Sequence, residues 1–177
     1  MSKPKLFTPL RIRNLELENR IVIAPMCQYS AEEGCMTDWH TLHLGQLALS
    51  GAGLLTIEAA AVSPEGRITY ADVGLYDDKT EEAMGRVLDT IRKWSTIPVG
   101  IQLAHAGRKA STYKPWDKQG QIPPDEPGGW QTLAPSAVPY TEGYTIPTAL
   151  DSNGLAEIRN QFAEAAKRAA RLNIDLI

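Results

Sequence analysis

Cysteine is scarce in this chain: Cys27 and Cys35 are the only two among 177 residues. They lie too close in sequence to close a useful long loop, and no CxxC or Cys/His zinc spacing accompanies them. A disulfide framework and a structural zinc site are therefore not expected. Net charge is also low, at -3, which gives no electrostatic reason to expect nucleic acid or an anionic membrane surface as partner. No apolar run approaches the length of a membrane span. The start, Met1-Ser2-Lys3-Pro4-Lys5, lacks the apolar region of a signal peptide. Low-complexity tracts are missing too. What remains, 43% hydrophobic and 22% charged, is the composition of a soluble globular protein long enough for one domain with a real core. A reducing cytoplasm is the expected setting.

The chain is organised around Arg20–Tyr29. Ile21-Val22-Ile23-Ala24 has the length and β-branched content of a buried strand. Pro25 stops the ladder because proline has no backbone N–H to donate. A thiol, Cys27, and a phenol, Tyr29, follow two residues apart, and an extended backbone would point both to one side. Reactive groups at the C-terminal end of a buried strand are how a (β/α)8 barrel builds its active site. A core cysteine and a packing tyrosine are the alternative for this stretch alone.

Before it, Leu10, Ile12, Leu15 and Leu17 alternate with polar residues around Arg13-Asn14, the pattern of a small hairpin that plugs one barrel end. After it, Thr37 or Asp38 caps a first helix that runs to about Ser50. Leu54–Val62 is a second buried run carrying one charge, Glu58, which must either pair in the interior or face a ligand. Thr80 is the expected cap of a second helix, with Met84, Val87, Leu88, Ile91 and Trp94 on its inner face. Ile97–Ala104 is the third strand. A long Pro-, Gly- and Trp-rich connection, residues 107–150, reads as a lid or binding loop. Asp151 to Asn153 caps a last helix with Leu155, Ile158, Phe162, Ala166, Ala169 and Leu172 inside, and Ile174–Ile177 opens a fourth strand. This β-α-β-α-β-loop-α-β order implies parallel strands. Four of them make half a (β/α)8 barrel or a small open sheet.

The strand ends collect Pro25, Met26, Cys27 and Tyr29, then Glu58 and Ala59, then Gln102, His105 and Arg108. His40 and His43 are spaced for a metal, but no third ligand is near, and the pair reads as structural. Cysteine-hydrolase chemistry would need a base beside Cys27. His105 is the only strand-end candidate, and nothing evident orients it. The set suits a flat polar heterocycle: Gln102 offers donor and acceptor to an amide-like ring edge, and the small Ala59 admits a ring close to the backbone.

Three stretches, Asn19–Tyr29, Glu58–Arg67 and Gln102–Lys109, together with Ala134-Pro135-Ser136-Ala137 in the long loop, resemble the old yellow enzyme family. The resemblance is closest to its bacterial, cysteine-containing branch of xenobiotic reductases and NADPH dehydrogenases, and it runs over essentially the whole chain. It implies an α/β fold, a TIM (β/α)8 barrel of which residues 1–177 are the first half, with FMN as cofactor and NADPH as hydride donor. It implies reduction of the C=C bond of a small α,β-unsaturated carbonyl (enone) substrate. Ala24, Pro25, Met26 and Cys27 would lie along the flavin, Ala59 would meet its pyrimidine side through backbone, and Gln102 would bond its polar edge. Cys27 would tune redox behaviour and binding, and Tyr29 would donate to the substrate carbonyl. For His105 and Arg108 a structural role in tying down the long loop stands beside direct catalysis.

In the family, a pair of histidines (or His and Asn), a proton-donating tyrosine and the phosphate anchor all lie beyond the position matching Ile177. The expectation is thus the N-terminal part of a larger enzyme, completed by its own second half or by another chain, with a homo-oligomer as the family's habit. The competing expectation is a catalytically incomplete half-barrel or assembly subunit without activity of its own. A different flavin barrel, of the dihydroorotate dehydrogenase type, fits less well with the Cys27/Tyr29 pair and the Gln102–Lys109 motif.

Overall fold

A computed structural model describes residues 4–177. Met1, Ser2 and Lys3, part of the segment read above as lacking a signal-peptide core, lie outside the described residues. The hairpin forms as expected: β1 (Leu10–Ile12) pairs antiparallel with β2 (Leu15–Leu17), with Leu10 opposite Leu17. Arg13 takes the left-handed turn at φ 54°, and Leu17 is fully buried.

The main sheet is parallel and in chain order: β3 (Val22–Ile23), β4 (Leu54–Ala61) and β5 (Val99–Ala104). Leu176 bridges Gly100 in the parallel sense, the beginning of a fourth strand. Helices α1 (Asp38–Ala48), α2 (Asp78–Arg92) and α3 (Ser152–Arg171) alternate with these strands. The sheet is open, the topology of half a (β/α)8 barrel. Its core joins Leu55, Ile57 and Ala60 of β4 with Val99 and Ile101 of β5 and Leu44, Met84, Leu88 and Ala169 from the helices. The near-continuous apolar sequence of β4 reflects burial on both faces.

Those core positions on β4 step by two from Leu55 to Ile57, then by three to Ala60. A β-bulge causes the change: Ile57 pairs with Ile101 but Ala59 with Gln102, so Glu58 is the extra residue. The bulge flips the inward–outward parity of the strand. Ala59 is thereby moved off the helix-covered face and shares the other face with its partner Gln102.

Four expectations need correction. The first strand, read as buried over Ile21–Ala24, pairs only at Val22–Ile23 and is the open edge of the sheet, so Ile21, Val22 and Ala24 are exposed. The second helix starts earlier than Thr80: Asp77 is its cap, accepting the Thr80 N–H at 2.8 Å while the Thr80 hydroxyl accepts the Asp77 N–H at 3.2 Å. Trp94 is not on its buried face but 79% exposed, because the helix ends at Arg92 and the 3.6-residue phase is lost. In α3 the buried positions are Ala165 and Ala169, whereas Leu155 is exposed, so the helix meets β5 through its C-terminal half. The long connection is well tied down. Ser111, Ile122 and Thr132 are buried within it, the Ser111 hydroxyl donates to the Ile122 carbonyl and accepts the Trp130 N–H, and β6 (Leu133–Ala134) pairs with β7 (Thr148–Ala149).

Candidate active site

Of the residues singled out at the strand ends, Cys27, Ala59 and Gln102 come together. Leu54 and Leu55 of β4 stand opposite Val22 and Ile23 of β3, so the Pro25–Tyr29 segment leaves β3 beside the bulge of β4. The Cys27 sulfur lies against the Ala59 N–H, and Ala59 is paired in register with Gln102. Ala24, Met26 and Gln102 are exposed, and the small Ala59 is buried. Pro25 and Cys27 are half-buried.

Cys27 and Tyr29 do not share a side by simple alternation, as an extended backbone would give. Tyr29 sits at φ 49°, in the left-handed region, so the chain turns there. Gln28 at the centre of the turn is its anchor. Its N–H donates to Glu58 Oε1 at 3.0 Å, its side-chain amide donates to the Met26 carbonyl at 2.8 Å, and its Oε1 accepts the Trp39 indole N–H at 3.2 Å. The Ser30 hydroxyl donates to the Gln28 carbonyl, and the Thr37 hydroxyl to the Ser30 carbonyl, both at 3.0 Å. Tyr29 itself packs edge-on to Trp116, ring centres 5.7 Å apart. A cleft of about 890 Å³ opens beside it, lined also by Arg67, Tyr70, Lys114 and Trp130. Arg67 lies over the Trp130 ring at 5.4 Å.

The electrostatics are those of buried acids. Burial pushes the Cys27 thiol up to about 11, with Asp72 and Glu58 adding to the effect and the Ala59 N–H opposing it. Burial, then Cys27, Asp72 and Glu58, hold the Tyr29 phenol above its ordinary value. Both groups are therefore protonated near neutral pH. Glu58, 3% exposed, is pushed up to about 7 by burial, against the Gln28 hydrogen bond. His40 is fully buried and pushed down to about 4, again by burial. Its Nδ1 accepts the Thr37 N–H at 3.0 Å, which leaves the ring proton on Nε2. That nitrogen faces Glu58 Oε2 at 3.8 Å and has no hydrogen-bond partner among the described residues. The contact is not an ion pair: His40 loses its charge well below the pH at which Glu58 gains one.

His43, half-buried, stacks on Trp39 at 6.2 Å, and no cluster of three metal-ligating side chains occurs among the described residues. His105 and Arg108 tie structure together. His105 Nδ1 accepts the Gly107 N–H at 3.1 Å, with its ring close against Gly66, and Arg108 donates to the Ser136 hydroxyl at 3.0 Å. Lys109 is exposed, its ammonium 4.6 Å from the Tyr140 ring centre. Sequence reasoning missed Gln28 and Asp72. The Thr69-x-x-Asp72 spacing was the available sign for the latter, whose carboxylate accepts the Ile68 and Thr69 N–H groups and the Thr69 hydroxyl.

Residues 5–177 match the family model described as NADH:flavin oxidoreductase / NADH oxidase. The chain belongs to that family. It is 44% identical over 176 residues to an NADH:flavin oxidoreductase of Gibberella zeae, covering 98% of this chain and 42% of the relative. An NADPH dehydrogenase of Bacillus subtilis is 37% identical, with 98% and 47% covered. Among solved structures, morphinone reductase superposes with a TM-score of 0.79 at 28% identity, covering 99% of this chain and 47% of that one. The old yellow enzyme homologue from Zymomonas mobilis gives 0.79 at 25% identity, covering 98% and 47%. The chain thus spans about half the length of the relatives it matches, and its fold is the first half of the TIM barrel of these NADH:flavin oxidoreductases. In this family member no helix among the described residues is long and apolar enough to cross a membrane.

Proposed function

We propose that this chain forms one wall of the FMN site of a cytoplasmic NADPH-dependent ene reductase acting on small α,β-unsaturated carbonyl compounds. The observation that carries the reading is the register of β4 against β5. It sets Ala59 beside Gln102; the Cys27 sulfur lies against Ala59, while Pro25 and Gln102 line one cavity and Gln102 is exposed. A flat ring with a polar edge fits this set. The Ala24–Cys27 segment and Ala59 give it a smooth backbone surface, and the Gln102 amide offers a donor and an acceptor. When bound, FMN supplies the hydride chemistry; the protein orients and polarises. Tyr29, protonated near neutral pH, is suited to donate to a substrate carbonyl oxygen from the mouth of the adjoining cleft. Cys27, a neutral thiol, supplies a soft polarisable contact rather than a covalent nucleophile. The remaining groups of the site belong to the second half of the barrel, supplied by a longer chain or a complementing one.

The test is a visible-absorption titration with FMN of the purified chain, alone and co-expressed with a second half-barrel of this family. Flavin uptake, bleaching by anaerobic NADPH and return of colour on adding an enone are the expected results. No uptake in either preparation would overturn the proposal and leave the incomplete, inactive half-barrel as the reading.

A further inference from the structure

Glu58 is a buried carboxylate that the proposed chemistry does not use, placed where the strand breaks its own pairing. As the extra residue of the bulge it leaves the sheet ladder, and its carboxylate sits between three elements. From the turn after β3 comes the Gln28 N–H at 3.0 Å, and from α1 the unpartnered His40 Nε2 at 3.8 Å. From the segment after β4 comes Asp72, whose charge acts on both Glu58 and Cys27.

We propose that Glu58 is a positioning residue for Cys27: re-aimed by the bulge and backed by His40, its carboxylate pins the Cys27–Tyr29 turn at the Gln28 N–H and sets a negative charge beside the thiol. Its relevance to catalysis rests on the reading that Cys27 lines the flavin. The ionisable groups facing Glu58 are His40, Asp72, Cys27 and Tyr29. No Lys or Arg stands within ion-pair distance of it among the described residues, and Arg67 acts only through Asp72. Glu58 ionises at about 7, so its charge is absent in mild acid and present in mild alkali. Cys27 consequently becomes harder to deprotonate as pH rises through neutrality.

This behaviour is readable without flavin. In the full chain carrying Cys35→Ser, Cys27 is the sole thiol, and its alkylation rate by iodoacetamide is followed as a function of pH. With Glu58 intact, the rise of rate with pH flattens around neutrality and then resumes. In Glu58→Gln the amide oxygen still accepts the Gln28 N–H, the flattening disappears, and alkylation at mildly alkaline pH is about threefold faster. That factor is the gain in thiolate on losing the Glu58 charge, which raises the Cys27 thiol, partly offset by lower intrinsic nucleophilicity. A folded Glu58→Gln chain with an unchanged rate, or an unbroken single-ionisation rise with Glu58 intact, would overturn the assignment. If the variant does not fold, the profile of the Glu58 chain decides alone. Failure here leaves the flavin reading standing, and failure of FMN to bind leaves this assignment standing.

Discussion

Replacing Glu58 by glutamine changes how stability depends on pH, and the effect can be worked out from the two buried groups that face each other. Burial moves the Glu58 carboxyl from its ordinary 4.5 to about 7, so the folded state favours its protonated form. The stability it contributes is fully present below its unfolded pKa and is lost as pH rises through the folded one. At about 1.4 kcal/mol for each tenfold change, the loss amounts to about 3 kcal/mol. His40 runs the other way. Its pKa is lowered from 6.5 to about 4, so its contribution is present above the unfolded value and lost as pH falls through the folded one. Where the two ranges overlap, from about pH 5 to 6, these two slopes oppose and nearly cancel each other. In Glu58→Gln the Glu58 slope is removed, while those of His40 and of other shifted groups such as His43, His105 and Asp72 remain and cancel in the comparison with the unaltered protein. The assay is urea unfolding followed by tryptophan fluorescence across mildly acidic to mildly alkaline pH. The variant's stability minus that of the unaltered protein should rise by about 3 kcal/mol from about pH 4 to about pH 8, whatever constant offset the amide causes against the His40 Nε2–H. Two parallel curves would refute the reasoning, since they would mean that Glu58 titrates as an ordinary surface carboxylate.

Three further outcomes are expected. Leu88→Ala, at a site 1% exposed in the centre of the core, should cost about 2–5 kcal/mol, read as a lower urea midpoint with an unchanged slope. Asp77→Ala removes the cap of α2 and should cost about 1 kcal/mol, whereas Asp77→Asn should retain most of it; an Asp77→Ala protein as stable as its parent would place the cap elsewhere. Tyr29→Phe, tested in the flavin-loaded, completed barrel, should lower kcat/KM by about tenfold, the worth of one hydrogen bond, without altering FMN affinity. A weakened affinity instead would move Tyr29 from the substrate to the cofactor.

Much of the architecture was legible from local pattern. The 3.6-residue recurrence of Met84, Val87, Leu88 and Ile91 found the buried face of α2, and the apolar run at Leu54–Ala61, interrupted only by Thr56 and Glu58, found the central strand. These signals are readable because they repeat over neighbouring residues. Element ends were read less well. Thr80 and Asp77 both cap acceptably by type, and only the backbone path chose between them; Trp94 fits the helical period but lies past the point where the helix stops.

The sequence by itself determined which chemical groups stand at the strand ends, Cys27, Tyr29, Ala59 and Gln102, because short apolar runs closed by Pro25 or followed by turn residues mark those ends locally. It also determined the family, through three motifs in order. Only the tertiary structure decided how those groups face one another. The bulge at Glu58 is set by pairing with β5, more than forty positions away in the chain, and it reverses the parity that alternation would assign to Ala59. The turn at Tyr29 adopts a left-handed backbone because Gln28 is held by Glu58, Met26 and Trp39. The apposition of His40 and Glu58 joins a helix to a strand with no periodic signal linking them. Such contacts depend on burial and register between distant segments, and a linear pattern carries neither.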